Sequence, residues 1–312
     1  MRAYNRSVIA TTDYERLREA VGLVDRSARG KLRLTGGEAA DYLQGQITND
    51  VEALTAGAGC YAALLNHKGK MLADMRVLRG EDFIWIDTEP EGLPALVRNA
   101  AMFSIGRDVR HEDVTGEYAI LSLVGPEARA PLDSPPPPVE HAFTHGEHGL
   151  YVSTDLGVDV ICAVGDAAAV REALGVEEVS EEAAECLRIE SGRPRFSIDM
   201  GAETIPEEAG LNERAVSFTK GCYVGQETVA RLHYKGKPNR HLRGLRPAAP
   251  VEHGDEIRFG ERVVGEVGST AESPALGPIA LAVVRREAAP GDVVQIGAGS
   301  VEATVSELPF SA

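Results

Sequence analysis

The chain has 312 residues, of which 43% are hydrophobic, and a formal net charge of -16 at pH 7. This length accommodates two or three domains with a substantial core. No apolar run approaches the roughly 20 residues that a membrane-spanning helix needs, and an acidic chain lacks the cationic surface on which nonspecific nucleic-acid binding depends. The first ten residues carry no apolar segment of signal-peptide length. We therefore expect a cytoplasmic protein without a membrane segment, for which direct nucleic-acid binding is disfavoured.

The N-terminal third of the chain predicts a mixed α+β unit. Apolar periodicity and turn signals indicate helices over 13–21, 37–44 and 93–102, and strands over 59–65, 71–78 and 83–87. The polar segment 66–70 separates the first two strands, so these strands are predicted to pair as a hairpin.

The middle of the chain alternates strands and helices. We expect strands over 118–124 and 158–164, and helices over 127–132, 166–174 and 181–192. Asp166 and Ser180 are the expected N-caps of the last two helices. Four prolines at 135–138 predict a stiff extended loop. His141, His145 and His148 follow at a spacing that could bind a metal on a helix, but the neighbouring glycines favour a loop.

After Arg240 the chain changes to short β-like runs separated by glycine and proline. This pattern is typical of a small antiparallel barrel or sandwich. The boundary near Arg240 is therefore the clearest domain boundary in the sequence.

The four cysteines, Cys60, Cys162, Cys186 and Cys222, stand far apart and form no Cys-x-x-Cys pair. The spacing predicts reduced thiols and no metal site made by the protein alone. A permanent iron–sulfur cluster would need about four cysteine ligands brought together, and nothing local suggests that arrangement.

Cys222 lies in a glycine-containing basic segment, Lys-Gly-Cys-Tyr-Val-Gly-Gln-Glu, at 220–227. Lys220 would favour the thiolate of Cys222, and Gly221 and Gly225 would let a ligand approach the main chain. The residues alone leave two interpretations open: a thiol that reacts or binds, and a buried inert cysteine in a turn. The segment 220–246 holds seven basic residues against one acid, which suits a compact polyanion or a solvated loop.

Two carboxylates are candidates for chemistry. Asp74 lies in an otherwise apolar strand, where it is either an exposed polar position or an acid presented to a cleft. Glu190 lies near the C-terminus of its predicted helix, where the helix dipole disfavours negative charge. Glu190 is therefore expected to have a partner: Arg188 or Arg193, or the paired N–H donors of a pterin or guanine edge.

Several segments in the same order resemble the YgfZ-type folate-binding proteins, relatives of the glycine cleavage T-protein that serve iron–sulfur cluster assembly or repair. The resemblance covers nearly the whole chain. It rests on the segments 43–51, 61–74, 188–192, 205–208, 220–227 and 308–310.

The resemblance implies an α+β fold of three domains arranged as a ring around a central tetrahydrofolate site. A discontinuous first domain would comprise 1–50 and 113–240, an inserted second domain 51–112, and a C-terminal antiparallel β-barrel 241–312. The family's pterin anchor corresponds to Glu190, its signature thiol to Cys222 and its basic companions to Lys220 and Arg231. Asn66 and Tyr223 are further expected cofactor contacts, and Asp74 joins Cys222 as a candidate catalytic residue.

The resemblance leaves three functions to consider. The first is a folate-binding accessory protein for iron–sulfur client enzymes, with Cys222 as its working thiol. The second is a folate-dependent aminomethyltransferase. The T-protein branch, however, lacks the Cys222 signature and carries two adjacent acids where this chain has Ala73 and Asp74. The third is a factor in tRNA modification, which could act indirectly through a cluster-containing enzyme.

Overall fold

The computed structural model describes residues 11–311. Residues 1–10, on which the expected absence of a signal peptide rests, and Ala312 lie outside the described residues. The helices are α1 (Thr11–Glu19), α2 (Ala39–Gln44), α3 (Leu93–Phe103), α4 (Ala167–Leu174), α5 (Glu181–Glu190), α6 (Asn212–Ala215) and α7 (Gln226–Lys235). None of the helices within 11–311 has both the length and the apolar character needed to cross a bilayer.

The strands form three sheets. In chain order they are β1 (Gly22–Asp25), β2 (Gly30–Thr35), β3 (Ala58–Leu65), β4 (Met71–Arg79), β5 (Phe83–Thr88), β6 (Arg110–Asp113), β7 (Tyr118–Val124), β8 (Phe143–Gly146), β9 (Gly149–Ser153), β10 (Gly157–Ala163), β11 (Arg240–Pro247), β12 (Glu256–Phe259), β13 (Arg262–Glu266), β14 (Thr270–Ser273), β15 (Gly277–Arg285), β16 (Val293–Ile296) and β17 (Val301–Ser306).

The first sheet is antiparallel, with the strand order β1-β7-β10-β9-β8. Strands β7 and β10 match the predicted strands. The histidine-containing loop instead contains the hairpin of β8 and β9, which the sequence analysis missed. The predicted helix over 127–132 is wrong, because this segment forms turns. A six-residue segment flanked by Pro126 and containing Pro131 cannot form enough helical hydrogen bonds to persist.

The second sheet is also antiparallel, with the order β3-β4-β5-β2-β6. Strands β3 and β4 form the predicted hairpin. Leu32 and Leu34 of β2 share an apolar core with α2 and α3. Since β2 lies between β5 and β6, residues 30–35 cannot be separated from this sheet. The predicted domain boundary between residues 50 and 51 therefore falls inside one sheet and its core.

The third sheet has seven strands in the order β13-β12-β16-β17-β11-β15-β14 and forms an antiparallel half-barrel. It begins at Arg240, where the sequence indicated the change to β structure. A Cβ atom built on Gly265 of β13 would lie 2.8 Å from the carbonyl oxygen of Val283 in β15, so the sheet curls until these strands approach each other. Leu245, Ile257 and Val305 belong to the core that this curvature encloses.

A further apolar cluster joins the hairpin of β3 and β4 to the chain that follows α5. Leu65 and Met71 of the hairpin belong to the same cluster as Leu211, Tyr223 and Val229. Because Tyr223 lies within 220–227, this packing places the cysteine-containing segment against the hairpin.

Candidate functional site

The hairpin of β3 and β4 presents a buried acid on the face that the 196–229 segment covers. The Tyr61 hydroxyl donates a hydrogen bond of 2.5 Å to Asp74 Oδ2, and Asp74 is 7% exposed. Burial raises the pKa of Asp74 to about 6, although the hydrogen bond from Tyr61 opposes the shift. Asp74 is thus an acid presented to the protein interior, and the alternative of an exposed position is wrong.

Ala73 points to the other side of the same strand. It is fully buried in the core of the second sheet, near α3. Successive side chains of a strand face opposite sides, so a carboxylate at position 73 would enter an apolar core. The absence of an acid at Ala73 removes nothing from the face that carries Asp74.

Asp74 allows a direct test of this burial through the pH dependence of stability. Its folded pKa is raised, so the folded state binds more protons than the unfolded state between pH 4 and pH 6, and stability falls as the pH rises through this range. As the pH rises from 4 to 7, we expect the free energy of unfolding of Asp74→Asn to increase by about 2 to 3 kcal/mol relative to that of the parent protein. Urea unfolding of both proteins at pH 4 and pH 7 measures this difference. The exposed Asp82→Asn should show no such trend, and parallel pH profiles for all three proteins would contradict the assignment.

A set of buried ion pairs surrounds Asp74. Arg29 donates from Nε to Asp87 Oδ1 at 3.0 Å and from Nη1 to Glu89 Oε1 at 2.7 Å. Arg76 donates from Nε to Asp87 Oδ2 at 2.8 Å and from Nη1 to Asp159 Oδ2 at 2.7 Å. Since Asp159 belongs to β10, Arg76 links the second sheet to the first.

A second group of charges lies beside Tyr61. Glu140 Oε1 accepts hydrogen bonds from Arg193 Nη1 at 2.6 Å and from Arg214 Nη2 at 3.0 Å. Burial opposes ionisation of Glu140, but the hydrogen bond from Arg193 and the nearby positive charges lower its pKa to about 2. The guanidinium of Arg214 also stacks over the Tyr61 ring at 5.0 Å. Arg214 therefore connects Glu140 to the Tyr61–Asp74 pair.

His141 completes this region in a strained conformation. Its φ is 68°, a left-handed value that is uncommon for residues other than glycine. Burial lowers its pKa to about 4, although the Glu140 carboxylate favours the charged form, so the imidazole is neutral at pH 7. Nε2 lies 3.6 Å from Glu140 Oε1, and Nδ1 is buried without a hydrogen-bond partner in the described chain.

These residues define what we call the charged cluster. Its members are Arg29, Tyr61, Asp74, Arg76, Asp87, Glu89, Glu140, His141, Arg193 and Arg214. Three buried polar atoms of the cluster have no hydrogen-bond partner within the described chain: Arg76 Nη2, His141 Nδ1 and Arg214 Nε. Buried polar atoms are nearly always paired, with protein or with ordered water, so these three atoms are open to a polar ligand or to water molecules.

A cavity of about 320 Å³ adjoins the charged cluster. Arg193 and Arg214 line it together with Arg243 of β11, so the cavity lies between the region after α5 and the half-barrel. Arg243 Nη1 is 3.4 Å from the exposed Glu307. Three guanidinium groups therefore line the cavity together with the Glu307 carboxylate, and each guanidinium already pairs with an acid of the chain.

Glu190 lies outside the charged cluster. Its Oε1 accepts hydrogen bonds from the hydroxyls of Tyr14 at 2.8 Å and Ser273 at 2.5 Å, and Arg18 Nη1 is 3.4 Å from Oε2. The expected pairing with Arg188 or Arg193 is wrong, because Arg188 contacts Glu185 and Asp199 and Arg193 contacts Glu140 and Asp155. Glu190 therefore joins α5 to α1 and β14.

Lys220 is buried below the segment that carries Cys222. Its Nζ atom donates to the carbonyl oxygens of Gln44 at 2.6 Å, Ile47 at 2.8 Å and Asn49 at 2.9 Å. An ammonium group has three protons, so this arrangement uses all of them. Burial lowers the pKa of Lys220 to about 8, although the nearby Asp50 carboxylate opposes the shift, so the ammonium group is charged at pH 7. In this structure, Lys220 has no further proton to donate to the Cys222 thiolate or to a cofactor.

Cys222 itself is exposed, so the alternative of a buried inert cysteine is wrong. The neighbouring Tyr223 is 7% exposed and anchors the segment in the apolar cluster. Gly225 has a φ of 84°, and a Cβ atom there would lie 2.5 Å from the carbonyl oxygen of Asn66. The Asn66 side chain accepts hydrogen bonds from the backbone N–H groups of Lys68 and Lys70. Asn66 and Tyr223 thus hold in place the segment that carries the exposed thiol.

Arg231 is exposed on α7 and lies outside the charged cluster. With Lys220 buried, the basic surface predicted for 220–246 is reduced to the exposed cations of α7 and the segment after it, namely Arg231, Lys235, Lys237 and Arg240. No group of histidine, cysteine, aspartate or glutamate side chains within 11–311 is arranged to hold a metal ion.

Tyr61, Glu140 and Arg214 were not predicted from the sequence as members of a site, and His141 was considered only as a possible metal ligand. One signal was available for Tyr61. In the predicted hairpin, Tyr61 pairs with Arg76 and Ala63 pairs with Asp74, so Tyr61 and Asp74 share one face of the sheet. Glu140 and His141 are neighbours in the chain, but they and Arg214 are distant in sequence from the hairpin, and no local pattern connects them to it.

Two family models match the chain: the GCVT N-terminal domain over residues 3–142 and the Glycine cleavage T-protein C-terminal barrel domain over residues 240–311. The chain therefore belongs to the glycine cleavage T-protein family. This result and the relatives below confirm the predicted resemblance to the YgfZ-type members of the family.

Among its relatives, the chain is 32% identical to the tRNA-modifying protein YgfZ of Serratia proteamaculans, over 76% of each chain. It is 30% identical to the aminomethyltransferase of Saccharopolyspora erythraea, over 96% of this chain and 89% of the relative. The crystal structure of glycine cleavage system aminomethyltransferase T from Bartonella henselae matches with a TM-score of 0.87 and 23% identity, over 96% and 89% of the two chains. This match confirms the predicted α+β fold class with its C-terminal antiparallel β-structure.

Proposed function

We propose that the chain binds a reduced folate at the charged cluster and the adjoining cavity. In this proposal it serves as an accessory protein for iron–sulfur cluster assembly or repair, with Cys222 as its working thiol. The observation that carries the folate part is the group of three unpartnered buried atoms, on Arg76, His141 and Arg214, beside Tyr61 and Asp74.

Tetrahydrofolate matches the chemistry of these residues at both of its ends. Its pterin ring offers N–H donors and ring acceptors, which suit Asp74, His141 Nδ1 and the free guanidinium N–H atoms of the cluster. Its glutamate tail carries two carboxylates, which suit Arg193, Arg214 and Arg243 around the cavity. When bound, the folate would supply nitrogen atoms that carry one-carbon units.

Folate titration of matched variants tests this placement. We expect Arg214→Met to weaken tetrahydrofolate binding roughly 10- to 100-fold, because a charged hydrogen bond to the ligand is lost and the Tyr61 ring loses the guanidinium that stacks on it. Ligand-induced thermal stabilisation or calorimetry measures the affinity. Arg262→Met, which removes an exposed arginine of the half-barrel, is the control and should bind as the parent protein does.

The Glu190→Gln variant distinguishes a folate site at the charged cluster from one at Glu190, which the family resemblance implies as the pterin anchor. The Glu190 carboxylate already accepts two hydroxyl groups, so we expect its neutral analogue to bind folate within about threefold of the parent protein. A large loss in Glu190→Gln together with none in Arg214→Met would move the folate site to Glu190. Absence of folate binding by the parent protein would refute the folate proposal itself.

The exposure of Cys222 supports a role for its thiol toward a second molecule. A thiol at the surface can meet a client protein, whereas Cys162 and Cys186 are buried. We expect Cys222→Ser to lower the activity of cluster-containing client enzymes in cells under oxidative stress, while folate affinity in vitro stays unchanged. Val224→Ala, in the same exposed loop, is the matched control. Undiminished client activity in Cys222→Ser would refute the thiol role and leave folate binding untouched.

Aminomethyl transfer is the second candidate function, favoured by Asp74. A buried carboxyl group with a pKa of about 6 can exchange a proton near neutral pH, and Ala73 does not reduce that capacity. Turnover of tetrahydrofolate with aminomethyl donors is the measurement that would establish this function. A link to tRNA, as in the name of the Serratia relative, would follow indirectly if a client enzyme modifies tRNA.

A further inference from the structure

A second cavity, of about 630 Å³, opens between the first and second sheets and shares no lining residue with the cavity at Arg214. Phe83 and Trp85 of β5 and Tyr118 of β7 form an aromatic wall, in which the Trp85 and Tyr118 rings meet edge to face at 5.2 Å. Ala169 and Ala173 of α4 line it as well. Such a volume, with mostly apolar walls, is typical of a small-molecule site.

Arg33 of β2 brings a positive charge to this cavity. Its Nε atom is shielded from solvent and has no hydrogen-bond partner within the described chain. Glu112 of β6 stands opposite Arg33 in the sheet register, but the two side chains form no ion pair. The acids of the lining, Glu147 and Asp166, are exposed. Since a buried guanidinium N–H without an acceptor is costly, Arg33 is poised to receive an anion.

We propose that this cavity binds a small aromatic carboxylate, with the ring of the ligand against Trp85 and Tyr118 and its carboxylate on Arg33. The guanidinium Nε–H and a neighbouring Nη–H present two parallel donors, and a carboxylate accepts both. Aromatic rings pack well in offset or edge-to-face contacts, which the existing Trp85–Tyr118 geometry extends to a third ring. This site is independent of the proposed folate function.

The single tryptophan of the chain makes the proposal directly measurable. Because Trp85 is the only tryptophan and lines the cavity, intrinsic tryptophan fluorescence reports on this site alone. The probes are phenylacetate and its neutral analogue phenylacetamide. We expect a saturable fluorescence change with phenylacetate, at an affinity at least roughly tenfold higher than that of phenylacetamide, because only the carboxylate can pair with Arg33.

Variants of the full chain assign the effect to the cavity. Arg33→Met should reduce phenylacetate affinity to the level of phenylacetamide, and Arg33→Lys, which keeps the charge without the fork, should lie between Arg33→Met and the parent protein. Ala173→Leu, at an exposed helix position, should fill the cavity and weaken both probes, whereas Arg262→Met should weaken neither. A parent protein without saturable binding, or one that binds both probes equally, would overturn the proposal. So would an Arg33→Met variant with unchanged phenylacetate affinity.

Discussion

Replacing Arg76 by methionine is expected to lower the free energy of unfolding by about 3 to 5 kcal/mol. Arg76 is 6% exposed and pairs with Asp87 of the second sheet and Asp159 of the first sheet. Asp87 would keep Arg29, and Asp159 would keep the Ser122 hydroxyl at 2.6 Å. Both carboxylates would nevertheless remain buried without their shared cation, and the polar contact between the two sheets would be lost.

The loss in free energy of unfolding caused by Arg76→Met should depend on pH. Although burial opposes it, Arg76 and Arg29 lower the pKa of Asp87 below its ordinary value of 3.8. Stability from a lowered carboxyl pKa is present above the unfolded pKa and is lost as the pH falls through the folded value. Urea unfolding should therefore show the largest deficit at pH 7 and a smaller one under strongly acidic conditions.

Arg258→Met is the matched control, because Arg258 forms an exposed pair with Glu256. Exposed pairs contribute about 0 to 1 kcal/mol, so little change is expected. If Arg76→Met lost no more stability than this control, the ion pairs between the two sheets would not contribute to folding.

Replacing Lys220 by methionine is expected to lower the free energy of unfolding by about 2 to 4 kcal/mol. Methionine fills a similar volume but donates no hydrogen bonds, so the carbonyl oxygens of Gln44, Ile47 and Asn49 would lose their charged donor. Gln44 is the last residue of α2, where a positive charge also interacts favourably with the helix dipole. The predicted loss follows from structure, independently of any role in ligand binding.

Chemical denaturation of two further variants tests the role of Lys220. Lys220→Arg should restore little of the stability, because a planar guanidinium cannot direct three protons to the same three converging acceptors. Lys235→Met removes an exposed lysine of α7 and should change stability by less than about 0.5 kcal/mol. Parent-like stability in Lys220→Met would mean that the three carbonyl groups find other donors.

Local patterns in the sequence were sufficient to predict the hairpin of β3 and β4, helices such as α3, and the β-rich C-terminal region. The edge strands β1 and β6 were missed, because four residues carry too little periodicity to indicate a strand. The membership of β2 in the second sheet depends on its pairing with β5, some fifty residues away, and no local pattern reports such a contact.

The candidate site was predicted only in part, and the reason is again that contacts between distant segments leave no local pattern. Asp74 was recognised as a carboxylate in an apolar strand, and Tyr61 reaches it within the same hairpin. Glu140, His141 and Arg214 join this region only after the sheets have packed. Lys220 was linked to Cys222 because the two residues are close in sequence, whereas the hydrogen-bond partners of Lys220 lie more than 170 residues earlier in the chain. Proximity along the chain therefore says little about where a long cationic side chain makes its bonds.

The two glycines of the cysteine-containing segment differ in how much space surrounds their Cα atoms. A Cβ atom at Gly225 would strike the Asn66 backbone, whereas Gly221 has open space around it. A Cβ atom at Gly69, in the hairpin turn, would likewise lie only 2.8 Å from Thr228 Cβ of α7. A side chain larger than hydrogen at Gly225 or Gly69 would push the hairpin and the segment 225–228 apart. The close contact between the hairpin and the start of α7 is therefore possible only because both positions lack a Cβ atom.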